Sequence, residues 1–249
     1  VLLIEATKKA ITKDHKPVPV DVHGRLVLAE GEASGHRHLF RDPGVCMLAR
    51  EGISDRVITL ECDALLLHDP SDMAPVLAKG GALDGALRLK DRGLVRHVGF
   101  GMRPHDFHRQ ALETGAVDVM LTFSDFNLLR RSAAERGGIL EQAAKHGVGV
   151  LNGFSIMRGI LTGAPVAEAA ERGRWTNAED IARATAMRQW AIDREVSLLD
   201  IALQFCLAEI RIHGNPLGNQ NIAELEQNVA AVSKPLPDGI LKEFLGAAL

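Results

Sequence analysis

Tyrosine is missing altogether from these 249 residues, and aromatic residues of all kinds make up only 4% of them. Proton transfer by the side chains of this chain therefore has no phenol to use. Cysteine is scarce, since Cys46, Cys62 and Cys206 are an odd number, far apart in sequence and without a CxxC. That spacing excludes a disulfide framework or a zinc ribbon and fits a reducing, cytoplasmic compartment. No apolar run approaches the roughly 20 residues that a membrane span needs, and the first residues do not read as a basic-then-apolar signal region. Lys and Arg form no dense stripe: 29 basic against 32 acidic residues give a net charge of −3. Nucleic acid and anionic membrane surfaces are therefore not expected partners.

What is present is the composition of an ordinary globular core, with 46% hydrophobic and 24% charged residues, 24 Gly and 10 Pro. Short apolar or β-branched runs alternate with longer amphipathic segments, the pattern of βα units on a parallel sheet. Six strands are expected, over residues 1–7, 63–68, 95–101, 117–122, 148–152 and 209–217. A polar stretch over 11–43 is too long for an ordinary connection and reads as a functional loop or insertion. Helices are expected over 44–52, over 71–91 with Ser71 as N-cap, and after Pro104 to about Gly115. Further helices are expected over 128–145, over 177–194 with Asn177 as cap, over 198–208 and over 240–249. Asn221 opens another, with Glu224 at the capping-box position.

Parallel strands with helical crossovers build either an open doubly wound sheet or a closed barrel. No GxGxxG follows a strand and opens a helix: Gly99-Phe-Gly101 runs on into Met102-Arg103, and Gly147-Val-Gly149 stands at a strand start. The absence of that dinucleotide fingerprint favours the barrel. A closed barrel of this kind needs eight strands, however, and six are visible.

Several short motifs occur in the order seen in one family. They are Ala6-Thr7-Lys8, Leu66-Leu67-His68-Asp69-Pro70, Val98-Gly99-Phe100-Gly101, Phe126-Asn127-Leu128-Leu129 and Arg158-Gly-Ile-Leu-Thr-Gly163. Ala202-Leu203-Gln204-Phe205, the run from Gly218 to Asn228, and Lys234-Pro-Leu-Pro237 complete the series. In this the chain resembles the aldo-keto reductases over nearly its whole length, most of all the branch of D-threo-aldose (L-fucose) 1-dehydrogenases. The resemblance implies a (β/α)8 TIM-barrel type fold, incomplete at about six βα units, in a single domain over 1–249 that lacks the first two units. It also implies an oxidoreductase that binds NAD or NADP at the C-terminal strand ends and interconverts a carbonyl and an alcohol on a sugar or small aldehyde or ketone.

In that family a Tyr donates the proton, an Asp and a Lys tune it, and a His orients the carbonyl. Lys8 matches the catalytic lysine at the end of the third barrel strand, and His68 the histidine at the end of the fourth. The matching Tyr and Asp would lie upstream of residue 1. Chemistry gives both matched residues a task, because hydride transfer to a carbonyl builds negative charge on oxygen and needs a donor there. The plain alternatives are a solvated strand-end lysine and a structural histidine. Asn152, Ser155, Gly218, Asn219, Gln220, Glu224 and Asn228 match positions that hold the cofactor, with an ordinary capping box as the equal alternative for Glu224. A carboxylate at Glu224 would repel a 2′-phosphate and favours NAD. Two departures weaken the match: the family's Ser-Asn pair is replaced around Gly101-Met102, and its usual Gln by an apolar residue near Leu121.

Histidines allow a rival reading. His36 and His38 lie two apart in the long polar stretch, and His105 and His108 share one helix face beside Asp106, so a divalent metal site is conceivable. Chance pairing among ten histidines explains the same pattern, and no metal is expected. Two function classes remain: an oxidoreductase acting on a small carbonyl or sugar, or a catalytically inactive binding or scaffolding protein.

Overall fold

The structure is a computed structural model, and it describes residues 2–5, 45–49, 62–171 and 176–247. In chain order these form β1 (Leu2–Glu5), β2 (Val45–Ala49), β3 (Cys62–His68), α1 (Met73–Leu77), α2 (Ala82–Asp91), β4 (Val95–Gly101), α3 (His105–Glu113) and β5 (Val119–Phe123). Then follow α4 (Ile139–Lys145), β6 (Gly149–Gly153), α5 (Val166–Glu171), α6 (Ala178–Asp193), α7 (Leu198–Ala208), β7 (Asn215–Gly218), α8 (Ile222–Ser233) and α9 (Ile240–Gly246). Contacts divide the chain into two compact units, one of Val1–Glu5, Thr122–Glu141 and Val150–Leu249, the other of Ala6–Leu121 and Gln142–Gly149. The strand order β2-β3-β4-β5-β6 makes one sheet, and β1-β7 a second.

In the second unit β2, β3 and β4 run parallel, in a register that sets Met47 beside Leu66, Leu66 beside Gly99 and Phe100 beside Met120. Ala64, Leu65 and Leu66 are all buried, as are Val98, Gly99, Phe100 and Gly101, so consecutive residues on both faces of these strands are covered. A strand buried on both sides needs an unbroken apolar run, and Asp63-Ala-Leu-Leu-Leu-His68 supplies one. Gly99 lets β4 approach β5: a Cβ there would stand 1.8 Å from the Val119 carbonyl oxygen. Beside that approach the Asp118 carboxylate accepts from Lys90 Nζ at 2.5 Å and from the Val98 backbone N–H at 2.8 Å. Partial burial raises the pKa of this carboxyl, but the Lys90 ammonium and the Val98 N–H outweigh it and hold it below the ordinary carboxylate value.

In the first unit the His213 N–H donates to the Val150 carbonyl at 2.8 Å, and the Asn152 N–H to the Gly214 carbonyl at 2.8 Å. Leu151 thereby bridges to Gly214 in parallel, just ahead of β7. β1 pairs with β7, also in parallel, with Leu2 beside Asn215 and Glu5 beside Gly218. Leu199, Leu203, Leu217 and Ala231 form one core cluster, which seats α7 and α8 around β7. Phe126 stacks on Phe205 with ring centroids 5.0 Å apart.

Several sequence expectations need correction. Within the helix expected over 44–52, Val45–Ala49 is the strand β2; five consecutive apolar residues have no period that separates helix from strand, and pairing with β3 decides. The sheet neighbour of β3 on that side is β2, and β1 pairs instead with β7. The helix expected over 71–91 is two, and Asp72 rather than Ser71 caps α1, accepting from the Ala74 N–H at 2.9 Å. The helix expected over 128–145 begins only at Ile139. Asn127 Oδ1 takes the N–H groups of Leu129 and Arg130 in a side-chain turn, and Gly137 is left-handed at φ 72°, so the chain turns before it can coil. β7 covers Asn215–Gly218 instead of 209–217, and α5 was not foreseen. The long polar stretch, with Lys8, His36 and His38, lies outside the described residues. Among the described residues no helix is long and apolar enough to cross a membrane.

Candidate functional site

His68 is the last residue of β3, where the buried leucine run meets its loop, and its side chain keeps 20% of its surface exposed. Its Nδ1 lies 3.1 Å from Asp69 Oδ2. Asp69 takes a left-handed conformation at φ 46°, and its backbone N–H donates to the Gly101 carbonyl at 2.8 Å. A non-glycine residue in that region is held there by its surroundings, and such residues gather at functional sites. On the neighbouring strand, Gly101 has no side chain where the imidazole lies: a Cβ would stand 2.9 Å from His68 Cδ2. The ring thus lies beside an exposed carboxylate and in room that a glycine leaves.

Asn152 and Ser155 come together in the first unit, and both are fully buried. Asn152 Nδ2 donates to the Phe126 carbonyl at 3.0 Å and to Asn215 Oδ1 at 2.9 Å, and Ser155 Oγ donates to the same Asn215 oxygen at 2.9 Å. Asn215 was not among the expected residues; its only signal was a polar residue set before Pro216 at the start of a short strand. Asn152 Oδ1 and Asn215 Nδ2 are buried without a hydrogen-bond partner, a cost of about 1–3 kcal/mol for each such group. Cys206 lies against the same cluster, and burial pushes its thiol up to about 12 despite hydrogen bonds with Ser155 and Asn152. The loop after β6 is strained: Phe154, Met157 and Arg158 have φ of 73°, 50° and 56°. Met157, Ile160 and Leu161 are wholly buried and anchor it.

Gly218 ends β7 in the open, with nothing within 4 Å of a Cβ built on it. Asn219 and Asn228 are joined by a hydrogen bond from Asn228 Nδ2 to Asn219 Oδ1 at 2.7 Å. Asn221 caps α8, its Oδ1 accepting from the Glu224 N–H at 2.9 Å. The Glu224 carboxylate turns back over the helix start and accepts from the Gln220 N–H at 2.7 Å. The positive end of the α8 dipole therefore already faces a carboxylate. A nicotinamide dinucleotide fits this stretch at Gly218, where the backbone is open, but a further phosphate beside Glu224 would meet like charge.

His105 and His108 do not build a metal site with Asp106. His108 is buried and its Nε2 lies 2.9 Å from the Met102 carbonyl oxygen, while Asp106 pairs with Arg109 at 2.5 Å. Among the described residues no group of three or more His, Cys, Asp or Glu could hold a metal ion.

Comparison with known proteins adds the following. The model of the aldo/keto reductase family matches residues 51–244, and a domain of unknown function (DUF8820) matches residues 1–80. A D-threo-aldose 1-dehydrogenase from a Pseudomonas species is 26% identical over 191 residues, which are 75% of this chain and 56% of that protein. An L-galactose dehydrogenase from Arabidopsis thaliana is 26% identical over 165 residues, 64% of this chain and 48% of that protein. The chain thus spans about half the length of the curated relatives it matches. The holo form of an aldo-keto reductase from Bacillus halodurans superposes with a TM-score of 0.62 at 21% identity, over 76% of this chain and 60% of that one. Its apo form gives 0.59 over 76% and 63%. Those superpositions show the fold, an α/β architecture of the (β/α)8 barrel type that is incomplete in this chain. With its family model covering residues 51–244, the chain belongs to the aldo/keto reductase family.

Proposed function

We propose that this protein is an oxidoreductase that interconverts an alcohol and a carbonyl on a sugar or other small aldehyde or ketone, with NAD(H) as its cofactor. The carrying observation is His68, a partly exposed imidazole at the C-terminal end of a buried strand, in the room that Gly101 leaves. In barrels of this type the chemistry lies at the C-terminal strand ends. The two named relatives, dehydrogenases of an aldose and of a galactose, support a sugar-like substrate.

A bound nicotinamide supplies or takes the hydride. This chain's residues do the rest. His68 Nε2 hydrogen-bonds the substrate oxygen, where charge builds during transfer. Gly218, Asn219, Gln220 and Asn228 hold the adenosine end, with Glu224 setting the preference for NAD over NADP. Asn152 and Ser155, with Asn215, brace the loop that follows β6, and Lys8 is a further candidate near the oxygen. We read residues 1–249 as one barrel domain, in a reducing, cytoplasmic setting to which the three scattered cysteines are suited. Absorbance assays of NADH formation with a panel of aldoses test the reading. Turnover that falls roughly a hundredfold in His68→Gln is expected; turnover unchanged in that variant rejects the role of His68. A second reading is binding without turnover, which cofactor binding with no reaction on any aldose would favour.

A further inference from the structure

Two phenylalanines meet at the C-terminal ends of neighbouring strands. Phe123 closes β5 and Phe154 follows directly on β6, with ring centroids 4.6 Å apart and planes inclined by 33°. Other aromatic pairs lie inside the fold: Phe126 with Phe205, and Trp190 with Phe244, are buried on both sides. Phe123 and Phe154 are each only half-buried, so part of this pair faces solvent. The backbone holds the rings there under strain. Phe154 takes a left-handed φ of 73° and Ser124, next to Phe123, one of 64°, a region that a bulky residue rarely occupies. The Ser124 N–H donates to the Gly153 carbonyl at 3.1 Å, and Ser124 Oγ accepts from Arg130 Nη1 at 2.6 Å, which ties the residue after one ring to the residue before the other. Glycine would take the backbone of residue 154 without strain, so the turn itself does not call for a half-exposed phenylalanine.

We propose that Phe123 and Phe154 form a sugar subsite, an apolar platform on which the C–H face of a pyranose ring stacks. This rests on the oxidoreductase reading above and deepens it, since it names the residues that recognise the sugar. A pyranose carries hydroxyl groups around its rim and C–H bonds, polarised by the adjoining oxygens, across its faces. In a galactose-type sugar those hydrogens gather on the side away from the axial hydroxyl. The face of an aromatic ring is the negative side of its quadrupole, so it attracts such hydrogens while both apolar surfaces leave water. Rings set on a tied backbone lose little freedom when the sugar arrives. Their place at the C-terminal ends of β5 and β6 is the end of a barrel where substrates are bound.

Carbon–proton spectra of the full chain with isotope-labelled phenylalanine read binding without turnover, with Phe123→Leu and Phe154→Gly identifying the signals. The probes are the methyl D- and L-galactosides, which are locked as rings and have no anomeric hydroxyl to oxidise, titrated with NAD present throughout. Both ring signals are expected to shift with one of the sugars, and the sugar C–H protons to move upfield. No shift at either ring overturns the proposal, as do shifts that NAD alone produces in full, which would give the platform to the flat nicotinamide instead. Kinetics form the second arm, with galactose oxidation compared against reduction of glyceraldehyde, a carbonyl that closes no pyranose ring. In Phe154→Gly, whose backbone suits the left-handed seat, the ratio of the two kcat/KM values is expected to fall roughly tenfold, mainly through a higher KM for the sugar. Phe123→Leu keeps the apolar bulk without the aromatic face and is expected to lower the same ratio. A merely structural pair would lower both reactions together, so an unchanged ratio in both variants overturns the subsite. Ring shifts with a sugar but no turnover of any aldose would refute the oxidoreductase reading and leave the sugar subsite standing on its spectra.

Discussion

The ring of His68 occupies the space that a side chain on Gly101 would take, with Cδ2 2.9 Å from the position of that missing Cβ. Gly99, two residues earlier on the same strand, is also required, but there the obstacle is the Val119 backbone oxygen at 1.8 Å. The two glycines therefore serve different ends, one the ring and one the sheet.

Substituting them should separate function from stability. Gly101→Ala pushes against a side chain that can turn aside, so the protein is expected to fold with near wild-type Tm and to lose the His68-dependent activity. Gly99→Ala pushes against backbone on the neighbouring strand and is expected to cost about 3 kcal/mol or more, or to prevent folding. Thermal unfolding of both variants, followed by circular dichroism, decides; a Gly99→Ala protein as stable as the wild type would refute the close approach of β4 to β5.

Acid should weaken the fold through Asp118. Its carboxyl is held below the ordinary value of 3.8, so the stability it lends is fully present above that pH and is lost as pH falls through the lower native value. Lys90→Met removes the ammonium and is expected to cost roughly 1 kcal/mol near neutrality, the scale of a partly exposed pair. Denaturant melts between pH 3 and pH 7 should show a shallower acid slope in that variant, and parallel slopes would count against the assignment.

Glu224 should govern cofactor choice. Calorimetric titration is expected to show tighter binding of NAD than of NADP, with the gap narrowing in Glu224→Gln and at high salt. Tighter binding of NADP to the wild type would reject the role given to the carboxylate. Asn221→Ala, which removes the cap, is expected to cost about 1 kcal/mol of stability without altering that preference.

Cys206 should be silent towards thiol reagents. With its thiol raised to about 12 and its surface wholly covered, it stays protonated and out of reach at pH 8. Alkylation followed by peptide mapping is expected to label Cys206 only after unfolding, and rapid labelling of the native protein would contradict the burial of the Asn152–Ser155–Asn215 cluster.

Much of the architecture was legible because burial on both faces leaves a plain mark: the leucines ahead of His68 and the Val98–Gly101 run read as strands and are strands. The position of His68 at the end of such a run was legible too. Less legible was anything decided by pairing at a distance. Val45–Ala49 has the composition of either element, and only β3 beside it makes it a strand. The hydrogen bonds of Asn127 delay a helix that periodicity alone would start at Leu128. The roles of Asn152 and Ser155 divided likewise: the types pointed to polar contacts, whereas Asn215, more than sixty residues away along the chain, engages the same groups inside the fold.

The pairing of β1 with β7 has a consequence for the order in which the molecule can be assembled. Leu2 meets Asn215 across more than two hundred residues, so β7 is made long after the strand it pairs with. Closing a loop of that length costs roughly 5 kcal/mol of chain entropy, which four residues of parallel pairing must recover together with the packing of Leu217. Contacts of short separation, such as those of β3 with β4, are therefore expected to form before this closure, which makes the β1–β7 pairing a late step of folding.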